Sequence, residues 1–176
     1  QLALGAQGSF IAKTIDKELK HLQSMIRRAH DHNGTSFIEI YQNCNIFNDG
    51  AFGTLTDRDT KADKLLFLEN GEPMIFGNEK NKGIILDGTK PKVVEIGKKY
   101  SIDDILVHDE TDSLLANMLS DFTASDDFPE PLGVLYCTER PTYDDLMDAQ
   151  MADSKKKQPT QTLDDLLNAG DTWEVK

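Results

Sequence analysis

Cysteine is scarce in this sequence. Cys44 and Cys137 are the only two among 176 residues, which excludes a disulfide-stapled scaffold and makes a reducing, cytoplasmic setting the expectation. Positive charge is short as well: 19 Lys and Arg stand against 31 Asp and Glu, for a net charge of -12. Phosphate backbones and anionic bilayer surfaces repel such a chain, so neither nucleic acid nor a membrane is expected as a partner. No apolar run approaches the roughly 20 residues that cross a bilayer. The full glycine fingerprint of a phosphate loop is missing too, and Gly5 and Gly8 read as turn residues. Calcium-loop spacing is absent from the polar stretch 51–64, where Asp57, Asp59 and Asp63 alternate with Arg58, Lys61 and Lys64; that stretch reads as solvated surface or as contact with a partner subunit. The chain opens at Gln1 without Met or a targeting segment, and is expected to be part of a longer subunit. With 38% hydrophobic residues it still has enough apolar material for one domain core.

The most informative stretch is 35–50. Thr35-Ser36-Phe37-Ile38-Glu39-Ile40-Tyr41 is rich in β-branched and aromatic residues and is bounded by Gly34 and an Asn/Asp/Gly turn, so it predicts a strand. Cys44 then lies at the carboxyl end of that strand, where open α/β sheets place ligands and cofactors. Asn43 and Asn45 flank it with amides suited to donating to a thiolate or sulfide. A single cysteine is never a complete metal site, and by spacing alone a structural or merely reactive thiol is the stronger reading.

Leu2–Ala6 predicts a short buried strand or its exit loop, and Phe10–Thr14 a brief helical turn. A helix is expected next, with Asp16 as N-cap, Leu19, Leu22, Ile26 and Ala29 on one face, and Asn33-Gly34 as the stop. His30 and His32 fall on different sides of that helix and read as capping or solvent-exposed residues. Strand, helix and strand make a βαβ-like unit, hence an α/β fold with a mostly parallel sheet and flanking helices. Lys64–Leu68, Pro73–Phe76, Gly83–Leu86 and Lys92–Ile96 read as an added small β meander. Short helices are predicted at Ser101–Leu106 and Ser113–Leu119, a break at Pro129 and Pro131, and a late strand at Gly133–Cys137 in which Cys137 is a packed core thiol. His108, beside Asp109 and Glu110, is expected to be a surface or capping residue ahead of an acid/base role. A helix should begin at Pro141–Leu146. Residues 155–161 read as a linker to a short leucine-edged helix, Thr162–Gly170, which is too short to persist unless Leu163, Leu166, Leu167 and Trp173 dock on another chain. The expected organisation is therefore an α/β core at 1–54, a β-rich extension at 55–100, a completing helix, strand and helix at 101–154, and a linker and tail at 155–176.

Two blocks carry a family resemblance. Ala3-Leu4-Gly5-Ala6, His21-Leu22 and the run from Gly34 through Cys44 to Asp49 resemble the C-terminal half of the β subunit of 2-oxoacid:ferredoxin oxidoreductases. Phe128-Pro129-Glu130-Pro131-Leu132-Gly133-Val134 and Glu139-Arg140-Pro141-Thr142-Tyr143-Asp144-Asp145-Leu146 are similar to the end of that subunit. The connecting piece, with Gly71–Gly77 and Ile105–Asp109, resembles the longer version assigned to 2-oxoglutarate. The resemblance implies thiamine diphosphate with Mg2+, a 4Fe-4S cluster with Cys44 as its fourth cysteine ligand, and Asn43 and Asn45 as cofactor-binding neighbours. It also implies coenzyme A-dependent oxidative decarboxylation of a 2-oxoacid, an α subunit, and ferredoxin as electron acceptor. The family's other three cluster cysteines and its Gly-Asp-Gly-Asp diphosphate motif lie further toward the N-terminus and are not in this sequence. The chain is thus expected to be a C-terminal portion, inactive alone and with no catalytic acid or base of its own. The rival expectation is a stand-alone acidic protein-interaction module with Cys44 as a free thiol.

Overall fold

Phe10–Ile15 is a strand, β1, with all six residues buried, where the sequence predicts a helical turn. The computed structural model describes residues 1–157 and 162–175, which fall into two compact units, Gln1–Arg140 and Pro141–Lys176. Ahead of β1, Leu2–Gly5 is one helical turn, α1, where the sequence suits a short buried strand or its exit loop; Leu2 is exposed to solvent. Tertiary pairing decides between the two segments. β1 has a neighbour on each side, so its backbone groups are satisfied only as a strand.

Helix α2 (Leu19–Asp31) follows, with Glu18 and not Asp16 at its N-cap. Asp16 is engaged elsewhere, accepting the Asn43 N–H at 3.3 Å. α2 buries Met25 and half-buries Leu22 and Ala29, whereas Leu19 and Ile26 stay exposed. The chain returns as β2 (Ser36–Tyr41), parallel to β1, with Phe10 opposite Ser36 and Ile15 opposite Tyr41. The expected βαβ unit is therefore present, with β1 one segment later than predicted.

Residues 51–64 hold two single turns, α3 (Gly53–Thr56) and α4 (Lys61–Lys64). β3 (Leu65–Phe67) pairs in parallel with β7 (Glu130–Cys137) and so belongs to the main sheet, not to the meander. β3 is an edge strand, yet Leu65 and Leu66 are buried, at 3% and 0% exposure. The main sheet runs β2-β1-β7-β3, with β1–β7 antiparallel and the other two pairings parallel. Pro131, predicted as a breaker, sits inside β7. Gly133 is required there: its φ is +138°, and a Cβ would lie 2.8 Å from the Leu68 carbonyl oxygen.

β4 (Ile75–Phe76), β5 (Lys82–Asp87) and β6 (Lys90–Glu95) form the antiparallel second sheet in that order. Ser101 and Asp104 form a capping box around a 3-10 turn, Ile102–Asp104. α5 (Ser113–Asp121) is capped by Asp112 and packs Leu115, Ala116 and Leu119 against Leu66, Met74, Ile84 and Leu135, joining the two sheets in one core. Met25 of α2 instead packs with Phe10, Ala12 and Val134. Because Val134 and Leu135 are successive on β7, the main sheet is covered on both faces.

In the second unit, α6 spans Tyr143–Lys157 and takes in Lys155–Lys157, which the sequence assigns to a linker. The rest of that predicted linker, residues 158–161, lies outside the described residues. α7 (Leu163–Leu167) begins with a Thr162/Asp165 capping box, and Leu163, Leu166, Leu167 and Trp173 are all exposed. No helix among the described residues is long and apolar enough to cross a membrane.

Candidate functional site: the Cys44 turn

β2 ends at Tyr41, and the chain then turns through Asn43–Gly50. The Asp16 N–H donates to the Tyr41 carbonyl at 2.9 Å, and the Tyr41 ring stacks on Phe52 with centroids 4.6 Å apart and planes 10° from parallel. Entry and exit of the turn therefore meet. Inside it, Asn43 Nδ2 donates to Asn45 Oδ1 (2.8 Å) and Asp49 Oδ1 (2.9 Å), while Asn43 Oδ1 accepts the Gly50 N–H (2.8 Å). The Asn48 N–H closes onto the Cys44 carbonyl at 2.9 Å.

Cys44 Sγ, half-buried, accepts the Phe47 N–H at 3.5 Å. The backbone amides of Phe47, Ile46 and Asn48 hold this thiol below its ordinary value, because N–H dipoles aimed at sulfur favour the thiolate. The donors that face the sulfur belong to the backbone, while the Asn43 side chain bonds to Asn45, Asp49 and Gly50 within the turn. A cleft of about 200 Å³, lined in part by Asp16, Asn43, Asp49 and Phe52, runs alongside. Ile46 and Phe47 are exposed at the tip.

The other candidates lie elsewhere. Among the described residues no group of three or more His, Cys, Asp or Glu side chains is arranged to hold a metal, so Cys44 is a single donor. His30 is exposed, and His32 shares a hydrogen bond with Ser9 Oγ at 2.9 Å. Cys137 packs beside the Phe10 and Val134 cluster, and burial pushes its thiol up. His108 is neither at the surface nor a cap: it is 1% exposed, its Nε2 bonds the Val134 carbonyl at 2.8 Å, and its Nδ1 has no partner. No acid/base pair forms there, since Glu110 takes Arg28 at 2.8 Å and Asp109 bonds Thr111.

Sequence reasoning missed a buried polar centre behind the turn. Lys13 Nζ lies 2.7 Å from Glu130 Oε1, 2.8 Å from Thr123 Oγ1 and 3.3 Å from the Tyr41 hydroxyl. Burial alone would lower the Lys13 pKa, but the hydrogen bond and charge of Glu130 outweigh it and hold the pKa above the usual lysine value. The one signal in the sequence is a lysine inside the apolar run Phe10–Ile15.

No family model matches the chain. The 2-oxoglutarate oxidoreductase subunit KorB of Mycobacterium tuberculosis is 33% identical to it over 178 residues, covering 99% of this chain and 47% of the relative. The chain is a relative of this oxidoreductase subunit. It spans about half the length of the curated relative it matches. A solved structure titled 2-oxoglutarate:ferredoxin oxidoreductase from Magnetococcus marinus, with 2-oxoglutarate, coenzyme A and succinyl-CoA bound, matches 92% of this chain and 39% of that chain at a TM-score of 0.50 and 17% identity. That likeness concerns the fold alone, and it agrees with the α/β class expected from the sequence. The resemblance to oxidoreductase subunits read from the strand-end cysteine block and the Phe128–Leu146 block is thus supported by a whole-chain match.

Proposed function

We propose that the chain serves as part of the β subunit of a 2-oxoacid:ferredoxin oxidoreductase, with 2-oxoglutarate as the substrate, and that Cys44 is one thiolate ligand of its 4Fe-4S cluster. The observation that carries this reading is the Cys44 sulfur at the carboxyl end of β2, half-buried and faced by backbone N–H groups. That donor set fits a cluster ligand, because a thiolate is the form that binds iron and N–H bonds to sulfur tune the potential. In the proposed enzyme, thiamine diphosphate with Mg2+ supplies the decarboxylation chemistry and the cluster carries electrons singly toward ferredoxin. The chain's own contribution is placement. Tyr41 and Phe52 close the base of the turn, the Phe47 amide stabilises negative charge on sulfur, and the pairing of β2 with the buried β1 fixes the turn relative to the core. No residue of this chain is assigned as a catalytic acid or base. Coenzyme A, an α subunit and ferredoxin are the proposed partners, and the remaining cofactor ligands belong to other sequence. The exposed edge of α7 and Trp173 would serve assembly with another subunit.

The test is Cys44→Ala in the complete protein, read by iron per chain and by 2-oxoglutarate- and coenzyme A-dependent ferredoxin reduction. Loss of both, with Cys137→Ala retaining both, is the expected result. Full iron content and normal turnover in Cys44→Ala would overturn the assignment.

A further inference from the structure

We infer that Asn43 is a positioning residue for the Cys44 sulfur, acting as a clasp that holds the turn closed; the inference rests on the reading of Cys44 as a cluster ligand. Three of the turn's hydrogen bonds converge on this one side chain. Its Nδ2 donates to Asn45 Oδ1 at 2.8 Å and to Asp49 Oδ1 at 2.9 Å, and its Oδ1 accepts the Gly50 N–H at 2.8 Å. Its backbone N–H is tied in turn to Asp16 Oδ2 at 3.3 Å. Asn43 therefore joins the first residues of the turn to the last, across the segment that carries Cys44 and the Phe47 N–H aimed at its sulfur.

The clasp acts on an otherwise weakly held segment. Ile46 and Phe47 are 84% and 90% exposed, so apolar packing does not fix the loop between Cys44 and Asp49. What holds it is the Asn48 N–H to the Cys44 carbonyl, the Asn43 bonds, and the Tyr41–Phe52 stack at its base. Only an amide meets the requirement at position 43. It must donate twice, to an amide oxygen and to a carboxylate, and accept once from a backbone N–H. A carboxylate there would face Asp49 with like charge and lose both donated bonds. Gly50, with φ at +79°, is in the left-handed region, which lets its N–H turn back toward Asn43. Opening the clasp frees the backbone N–H groups that face sulfur, and with them the geometry in which Cys44 meets a ligand.

The experiment uses the complete protein with three variants, Asn43→Asp, Asp49→Asn and the double variant, alongside Cys44→Ala. The double variant restores one donor and one acceptor with their places exchanged, and the Asn45 amide can turn over to donate. Amide exchange at Phe47, Asn48 and Gly50 is read by mass spectrometry or NMR, together with iron per chain and the midpoint potential and EPR signature of the reduced cluster. Asn43→Asp should raise exchange at these amides roughly ten- to hundred-fold, the range expected from losing the two donated hydrogen bonds and setting two carboxylates face to face in a locally opening segment. It should also shift the potential and lower iron retention, while the double variant recovers a large part of each and the thermal midpoint of the protein stays within a few degrees of the parent. Unchanged exchange in Asn43→Asp, or no recovery in the double variant, overturns the clasp. If exchange rises and recovers as expected but Cys44→Ala keeps its full iron and EPR signal, the clasp stands as the organiser of the turn and the cluster-ligand reading of Cys44 falls.

Discussion

Lys13 and Glu130 face each other at 2.7 Å across the two central strands of the main sheet, with side chains only 8% and 9% exposed. Removing one partner of a buried pair leaves the other uncompensated, which typically costs about 3–5 kcal/mol. Glu39, at 3.6 Å from Lys13 Nζ, and the Thr123 and Tyr41 hydroxyls soften that loss. Glu130→Ala should therefore destabilise the chain by about 3 kcal/mol in urea unfolding, at the low end of that range. Lys13→Met combined with Glu130→Leu should recover most of it. A double variant no better than the single one would show that the pair itself is not the source of the cost.

His108 should make stability fall in mild acid. Burial lowers its pKa, against the raising effects of the Val134 carbonyl and of Glu110 and Asp109. The unfolded chain, with a histidine near 6.5, then binds the proton more readily than the folded one. The penalty is absent above about pH 6.5 and grows as pH drops from there toward the folded value. Burial is the main reason protonation is resisted, and the unpartnered Nδ1 offers an added proton no acceptor. His108→Gln should flatten the slope of the urea midpoint between about pH 7 and pH 5 relative to the parent chain. An identical slope in both proteins would assign the acid sensitivity to other groups.

The two thiols should separate by reactivity. Backbone amides lower the Cys44 pKa, and burial raises that of Cys137. At neutral pH Cys44 carries the larger thiolate fraction, so iodoacetamide should label it first in the cluster-free chain, with peptide mapping locating the adduct. Faster labelling at Cys137 would contradict the amide-stabilised turn.

The tail should matter for assembly and not for the turn. α7 is five residues long and exposes Leu163, Leu166 and Leu167, with Trp173 exposed beyond it. So short a helix keeps its shape only when its apolar edge is covered. Deleting 158–176 from the complete protein should weaken subunit association in size-exclusion chromatography while leaving iron per chain unchanged. Association at parental strength would rule out a docking role.

How much of this was legible in the sequence follows from the range of the forces involved. The strand Ser36–Tyr41, the polar turn holding Cys44, the antiparallel second sheet and the caps at Ser101 and Thr162 are written in local chemistry: β-branched residues, Asn/Asp/Gly turns, and hydroxyls three residues ahead of a carboxylate. Residue order alone determined them, because each signal acts within a few positions. Long-range pairing decided the rest. Phe10–Ile15 is a strand and not the helical turn expected over Phe10–Thr14, and its Lys13 is tolerable in a central strand because Glu130, 117 positions away, lies beside it. β3 joins the main sheet because β7 offers it an edge, and Gly133 lets the chain pass against Leu68. His108 is buried because β7 presents the Val134 carbonyl to its Nε2. The sequence alone marked Cys44 as a thiol at a strand end and supplied the Asn43 amide; only the folded chain aimed the Phe47 N–H at the sulfur and brought Asp49 and Gly50 back to Asn43, since those contacts depend on where the backbone bends as well as on which residues it carries.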